Sequence, residues 1–316
     1  MLWTFQQNNS KFGLPMGMPY GSATPPVQPE EEEDPRILEV WQSNMYDAFQ
    51  QVRQIVRQYP FVSMDTEFPG VVARPIGEFN TTSDYQYQLI RCNVDLLKLI
   101  QIGLTFMNEK GECAPGRCTF QFNFKYDIKT DMYAEDSITL LRNCGINFER
   151  HSIDGIDPGA FAYMLITSGV VLDTTPRVHW ITFHSGYDFC YLLKLLTEDK
   201  LPEDEKKFFD LLKLYFPTVF DIKYLMKSCK QLQGGLQDIA DQMKIKRVGR
   251  QHQAGSDSLL TGQAFFKMRS LFFEDVVDPD KFSGKIWGLG DSCEIRKDAD
   301  QAPYGPDAIQ RFKSSE

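Results

Sequence analysis

A chain of 316 residues that is 42% hydrophobic and 13% aromatic can bury a large core, which excludes a wholly disordered protein. Its 43 acidic residues outnumber 34 basic ones, giving a net charge of −9, so contact with nucleic acid through bulk charge is excluded and any such contact must be local and helped by metal ions. No apolar run reaches the ~18 residues of a membrane span, and the first residues show no basic-then-apolar signal pattern. The seven cysteines include no C-x-x-C pair; Cys113 and Cys118 are close, but no His or Cys cluster follows them, so reduced thiols in a cytoplasmic or nuclear protein are expected rather than a zinc site.

In chain order, residues 1–34 contain Gln, Asn, Gly, Pro and Ser and end in the acidic run Glu30–Asp34, a composition expected of a disordered tail. Apolar residues from Ile37 through Val40, Trp41, Met45, Phe49 and Val52 to Tyr59 recur at helical spacing, and Pro60 ends the run. A strand is expected over Phe61–Glu67, a loop over 69–83 and a helix over 85–97. Leu99–Met107 and Thr119–Tyr126 read as strands on either side of a turn at 109–111. Helices are expected at 137–143 and 158–168, then a strand at Val178–His184 and a helix at 187–196. A helix at 203–216 leads to a short strand at 218–222, followed by helices at 223–230 and 236–243. A last long helix is expected to be capped by Ser256. Beyond Pro279 the chain becomes Gly- and Asp-rich, so 279–316 is expected to be a mostly flexible tail.

Three strands of antiparallel type followed by two helix-linked strands imply an α/β fold, a ribonuclease-H-like mixed sheet of five main strands flanked by helices. A doubly wound nucleotide-binding fold would instead alternate strand and helix from the start and carry a Gly-rich first turn. Here the first predicted strand ends in acids.

Those acids are Asp65 and Glu67. Two residues apart on a strand, they share a face, and two like charges side by side call for a cation. Asp188, in HSGYDFCYLLKLL, falls in the first turn of the helix after the fourth strand. Asp257 opens the last long helix and His252 lies on the loop before it. Each has a bland reading when taken alone: an acidic strand end, a carboxylate at a helix N-terminus, a helix starter beside a loop histidine. As an ordered set they describe the carboxylates that two hard divalent ions need for phosphodiester hydrolysis, Mg2+ or Mn2+ being the expected pair.

The set D-x-E, Y-D and H-x4-D resembles the DEDD exonuclease superfamily in its histidine-containing branch. FVSMDTEFPGVVARPIGEF, YQYQLIRCNVDLLKLIQIGLTF, FHSGYDF, DIKYLMKSC, GGLQDIA and QHQAGSDSLLTGQAFFKM are similar to the catalytic deadenylases of the CCR–NOT complex, from about Pro35 to Asp278. The resemblance implies an exonuclease domain over 35–278 that removes poly(A) from the 3′ end of mRNA and releases 5′-AMP. Its implied partners are a large scaffold subunit and a second nuclease subunit. By position, Asp65, Glu67, Asp188 and Asp257 would be the metal ligands, with Asp65 between the ions, and His252 would take a proton from water. All five residue types are retained, which speaks against an inactivated copy.

Lys244, Lys246, Arg247 and Arg250 form a basic patch before His252 that could grip phosphates, or simply a solvated loop. Phe68 could stack on a terminal base or belong to the core, and Arg74 is a further candidate contact. Asp221 reads as a helix cap. Preference for adenine rests on the resemblance alone. A DEDD exonuclease acting on other RNA or on DNA, and a docking module that leaves the cutting to another subunit, are the competing readings.

Overall fold

The computed structural model describes residues 34–173 and 177–290. Six strands form one sheet: β1 (Ile37–Val40), β2 (Phe61–Glu67), β3 (Gln101–Met107), β4 (Thr119–Asn123), β5 (His179–Thr182) and β6 (Thr218–Asp221). Their order is β1-β4-β3-β2-β5-β6. β2, β3 and β4 run as an antiparallel meander, while β5 is parallel to β2, β6 to β5 and β1 to β4. This is the expected mixed sheet with one strand more than expected.

The helices are α1 (Met45–Ile55), α2 (Thr82–Leu96), α3 (Glu135–Asn143), α4 (Phe148–Asp154), α5 (Pro158–Ile166), α6 (Gly186–Thr197), α7 (Glu205–Tyr215), α8 (Ile222–Leu225), α9 (Leu236–Gln242), α10 (Ala254–Phe272) and α11 (Pro279–Phe282). Alternation along the strands sorts them into two layers. Val62, Met64, Ile102, Leu104, Phe120 and Phe122 pack with Phe49 and Val52 of α1, Tyr87 and Ile90 of α2, Phe161 of α5 and Leu192 of α6. Phe61, Met107, Ile181 and Phe220 point the other way, into a second core with Leu259, Phe265 and Met268 of α10 and Ile239 of α9. Both faces of β2 and β3 are therefore covered, and their long apolar runs follow from that.

Several expected boundaries are corrected. The single helix from Ile37 is a strand, a turn and a shorter helix. Asn44 makes the turn by accepting from the Trp41 N–H at 2.7 Å and donating to the Glu39 carbonyl at 3.0 Å. Those same apolar residues satisfy either period, and pairing with β4 decides for the strand. α4 went unrecognised between two expected helices. α10 begins two residues before Ser256, whose hydroxyl donates to the Val248 carbonyl at 2.7 Å instead of capping.

Residues 279–290, assigned by sequence to a flexible tail, pack against the sheet. Phe282, Ile286 and Leu289 are buried. The Gly284 N–H donates to the Val219 carbonyl at 3.0 Å and the Ser283 hydroxyl accepts from the Val219 N–H at 3.2 Å, covering the edge of β6. The expected tail at 1–34 and the remainder of the C-terminal one lie outside the described residues, save for Asp34. Among the described residues no helix is long and apolar enough to cross a membrane.

Candidate metal centre

β2 runs through the middle of the sheet, and the parity of its side chains fixes where its acids go. Ser63 shares a face with Asp65 and Glu67 and donates its hydroxyl proton to the Ser258 carbonyl of α10 at 2.8 Å. Asp65 and Glu67 therefore lie on the α10 side. Asp65 pairs across the sheet with Gly103, and a β-carbon at 103 would sit 1.8 Å from the Ala254 carbonyl oxygen. Only glycine lets the first turn of α10 come that close, and this contact delivers Asp257 to the acids of β2. One donor atom each from Glu67, His252 and Asp257 lies within 4.8 Å of the others.

Asp188 arrives from the opposite side. β5 is parallel to β2, so both strands end at the same edge of the sheet, and the turn after β5 opens α6. There the Asp188 carboxylate accepts from the Thr66 hydroxyl at 2.7 Å, between the two acids of β2. All four expected carboxylates and the histidine thus meet at one end of the sheet. Glu67, Asp188 and Asp257 are buried and Asp65 is half-buried.

Their charges interact. Burial raises the Asp65 carboxyl well above its ordinary value, and the charges of Asp257, Asp188 and Glu67 raise it further, with the Arg247 cation working against them. Burial also lifts Asp188, to about 7, against the lowering effect of the Thr66 hydrogen bond. Four hard oxygen donors with one imidazole, strained by mutual repulsion, suit a small divalent cation better than a soft one.

Asp221 has a larger part than a helix cap. Its buried carboxylate accepts from the Lys223 N–H at 2.9 Å, and also from His184 at 2.8 Å, Ser185 at 3.3 Å and Trp287 at 3.0 Å. It therefore fixes the turn that presents Asp188, where His184 adopts a left-handed φ of 59°. His252 sits in the same conformation at 56°.

The candidate substrate contacts divide. Lys244, Lys246 and Arg250 are exposed on the segment that leads to His252, and Arg74 is exposed on the loop after β2. Arg247 instead turns inward: its guanidinium bonds Asp257 at 2.6 Å, Gln237 at 2.6 Å and Ser256 at 3.1 Å. Phe68 stacks on Tyr187 with ring centroids 4.7 Å apart and leans on Tyr191, so it braces α6. A buried run of amides at Gln101, Gln121 and Asn123 beside Gln253 escaped the sequence reading. Its only signal was polar alternation inside the otherwise apolar strand TFQFNF.

Comparison with known proteins matches residues 40–158 and 170–265 to the model of the CAF1 family ribonucleases. The chain is 50% identical over 259 residues to the poly(A) ribonuclease pop2 of Schizosaccharomyces pombe, covering 82% of this chain and 76% of that one. It is 45% identical to the CCR4-NOT transcription complex subunit 7 of Caenorhabditis elegans over 82% of this chain and 85% of the relative. The solved structure of S. pombe Pop2p with Mg2+ and Mn2+ bound superposes with a TM-score of 0.78, over 80% of this chain and all (100%) of that one, at 50% identity. Yeast CAF1 co-crystallized with the NOT1 MIF4G domain superposes with a TM-score of 0.66 at 33% identity, over 79% of this chain and 96% of that one.

Proposed function

The chain belongs to the CAF1 family of ribonucleases, and on that premise we propose that it works as a 3′→5′ exoribonuclease, removing 5′-AMP stepwise from the poly(A) tails of mRNA within a CCR4–NOT complex. The observation that carries this reading is the meeting of Asp65, Glu67, Asp188 and Asp257 at one sheet edge, where burial and then their repulsion raise the Asp65 carboxyl. Two divalent ions, Mg2+ or Mn2+, would be held by these four acids. When bound, such ions neutralise phosphodiester charge and make water a better nucleophile.

The protein's own residues do the rest. Asp65, subject to the charges of Asp257, Asp188 and Glu67, would be one of the acids that hold the ions. His252, on its left-handed turn, accepts the proton of the attacking water, the general-base role that histidine most often fills. Arg247 holds Asp257 in place. Lys244, Lys246 and Arg250 give an acidic chain a local basic rim that suits RNA phosphates. The large scaffold subunit of the complex and its second nuclease are the protein partners. Cytoplasmic residence with a nuclear pool is proposed from the substrate and is checked by fractionation.

The test is decay of oligo(A), oligo(U) and oligo(dA) by the purified chain with Mn2+, alongside Asp65→Ala. We expect oligo(A) to be shortened fastest, with 5′-AMP released, and the variant to be folded but slower by at least ~10²-fold, as for other groups acting on developing charge. Equal rates on the three polymers would overturn poly(A) preference, and an active Asp65→Ala would overturn the metal site.

A further inference from the structure

α10 carries Asp257 and follows His252 directly, yet its N-terminal residue Gln253 makes no side-chain cap of the usual local kind. The free N–H groups of its first turn are satisfied from the sheet. Gln101 Oε1 accepts from the Ala254 N–H at 3.2 Å and Gln121 Oε1 accepts from the Gly255 N–H at 2.7 Å. Gly255 has no β-carbon in a place where one would lie 2.9 Å from Gln121 Oε1, so the close approach depends on glycine.

A single carboxylate on β1 joins the amides of Gln121 and Asn123, while Asn123 Nδ2 also donates to the Val40 and Gln121 carbonyls, both at 3.2 Å. Glu39 lies opposite Gln121 in the parallel pairing of β1 with β4. One of its oxygens accepts from Gln121 Nε2 at 2.6 Å and the other from Asn123 Nδ2 at 2.7 Å. A carboxylate can only accept, so both amides must turn their NH2 groups toward it. Gln121 is then left with its oxygen facing Gly255. Asn123 is left with its oxygen facing Gln101 Nε2, at 2.8 Å, which turns the Gln101 oxygen toward Ala254. The remaining N–H bonds of Gln121 and Gln101 converge on Gln253 Oε1 at 2.9 and 3.2 Å, and Gln253 Nε2 donates to the Cys144 carbonyl at 2.9 Å.

From this network we infer that Glu39 is a positioning residue for the metal centre, acting through Gln121, Asn123, Gln101 and Gln253 to fix the chain that follows His252 and the first turn of α10. The inference rests on the ribonuclease reading, since it concerns the same site. An amide at 39 offers one oxygen and one NH2, so it can accept from only one of Gln121 and Asn123 and sets its own N–H against the other. Relieving that contact displaces the amides, and residues 252–257 lose their fixed place relative to Asp65 and Glu67.

The experiment compares Glu39→Gln with Val40→Ala, a neighbouring substitution that weakens β1 from its buried apolar side and leaves in place the backbone carbonyl that accepts from Asn123 Nδ2. Three quantities are read: the melting temperature, the affinity for Mn2+ alone by calorimetry, and kcat and KM on oligo(A). Glu39→Gln is expected to lower kcat and Mn2+ affinity by about 10- to 100-fold, as loss of outer-sphere support does at other metal sites, with KM within about twofold. Val40→Ala, melting at least as low, should keep both near wild type. Should Glu39→Gln not fold, Gln253→Met, at a half-buried position, takes its place with the same expectation. Equal losses in the two variants, or an unchanged Mn2+ affinity in Glu39→Gln, would overturn the positioning role and leave the nuclease reading intact. A wild-type chain that neither binds Mn2+ nor shortens oligo(A) would remove both.

Discussion

Asp65 and Asp188 hold protons more tightly than free carboxylic acids do, and an incoming cation must displace them. The sign follows: below about 7 Asp188 is protonated, so ion affinity rises with pH through that value. We expect Mn2+ binding at pH 6 to release measurably more protons than binding at pH 8, read by calorimetry in buffers of differing ionisation heat. Equal proton release at the two values would contradict the raised carboxyls. A second titration belongs to a residue outside the acid cluster. His151 is buried, donates its Nδ1–H to the Phe124 carbonyl at 2.7 Å, and packs against Trp41. Burial lowers it from 6.5 to about 4. An unfolded chain binds this proton below 6.5 while the folded one refuses it until about 4, so stability is full above 6.5 and lost as the pH falls through that window. The shift is worth roughly 3 kcal/mol, and His151→Leu should flatten the denaturation midpoint between pH 7 and pH 4 by that much. At this scale the sequence was a good guide to the acids, because strand parity alone puts Asp65 and Glu67 on one face. It was a poor guide to Arg247 and Phe68, whose surroundings are set by residues distant in the chain.

The elements were legible where one period fits and ambiguous where two do. Val62 to Met64 can only be a strand interior, but Ile37, Val40 and Trp41 satisfy a helix as well as a strand, and no Gly or Pro separates them from α1. Long-range pairing with β4 settles the matter, and no local signal could. The approach of α10 to the sheet is likewise invisible in sequence, although its requirement for small residues can be tested. Gly103→Ala would put a methyl against backbone that cannot move without moving α10. It should destabilise by about 3 kcal/mol, at the upper end of overpacking, and lose activity even where it folds. Gly262→Ala meets the Ser63 hydroxyl at 2.6 Å and the flexible end of Met107 at 2.8 Å, so it should be milder, about 1 kcal/mol, with activity largely kept. Chemical denaturation with parallel rate measurements on oligo(A) distinguishes the two.

Across the whole molecule, the C-terminal extension closes the sheet. Residues 283–287 bond to β6 and to Asp221, and Phe282, Ile286 and Leu289 fill the space beside them. A chain ended at Asp278 should therefore be far less stable than one ended at Gly290. At ~1.5–3 kcal/mol for each buried apolar side chain, the loss consumes much of an ordinary domain's margin, and an opened β6 edge favours aggregation. Melting temperature and light scattering of the two truncated chains measure it. Composition misled here, since Gly284, Gly288 and Gly290 read as disorder although each takes a left-handed φ in a packed turn. The general architecture was legible because three strands, the first ending in acids, followed by two helix-linked strands leave few folds to choose from.

The late position of α10 in the chain has a consequence for synthesis on the ribosome. Asp65, Glu67 and Asp188 emerge early, while His252 and Asp257 are among the later residues to be made, and the apolar side of β2 and β3 that α10 covers stays bare until then. A nascent chain therefore lacks Asp257 and His252, and with them the complete set of site residues, until the segment that leads into α10 has been made.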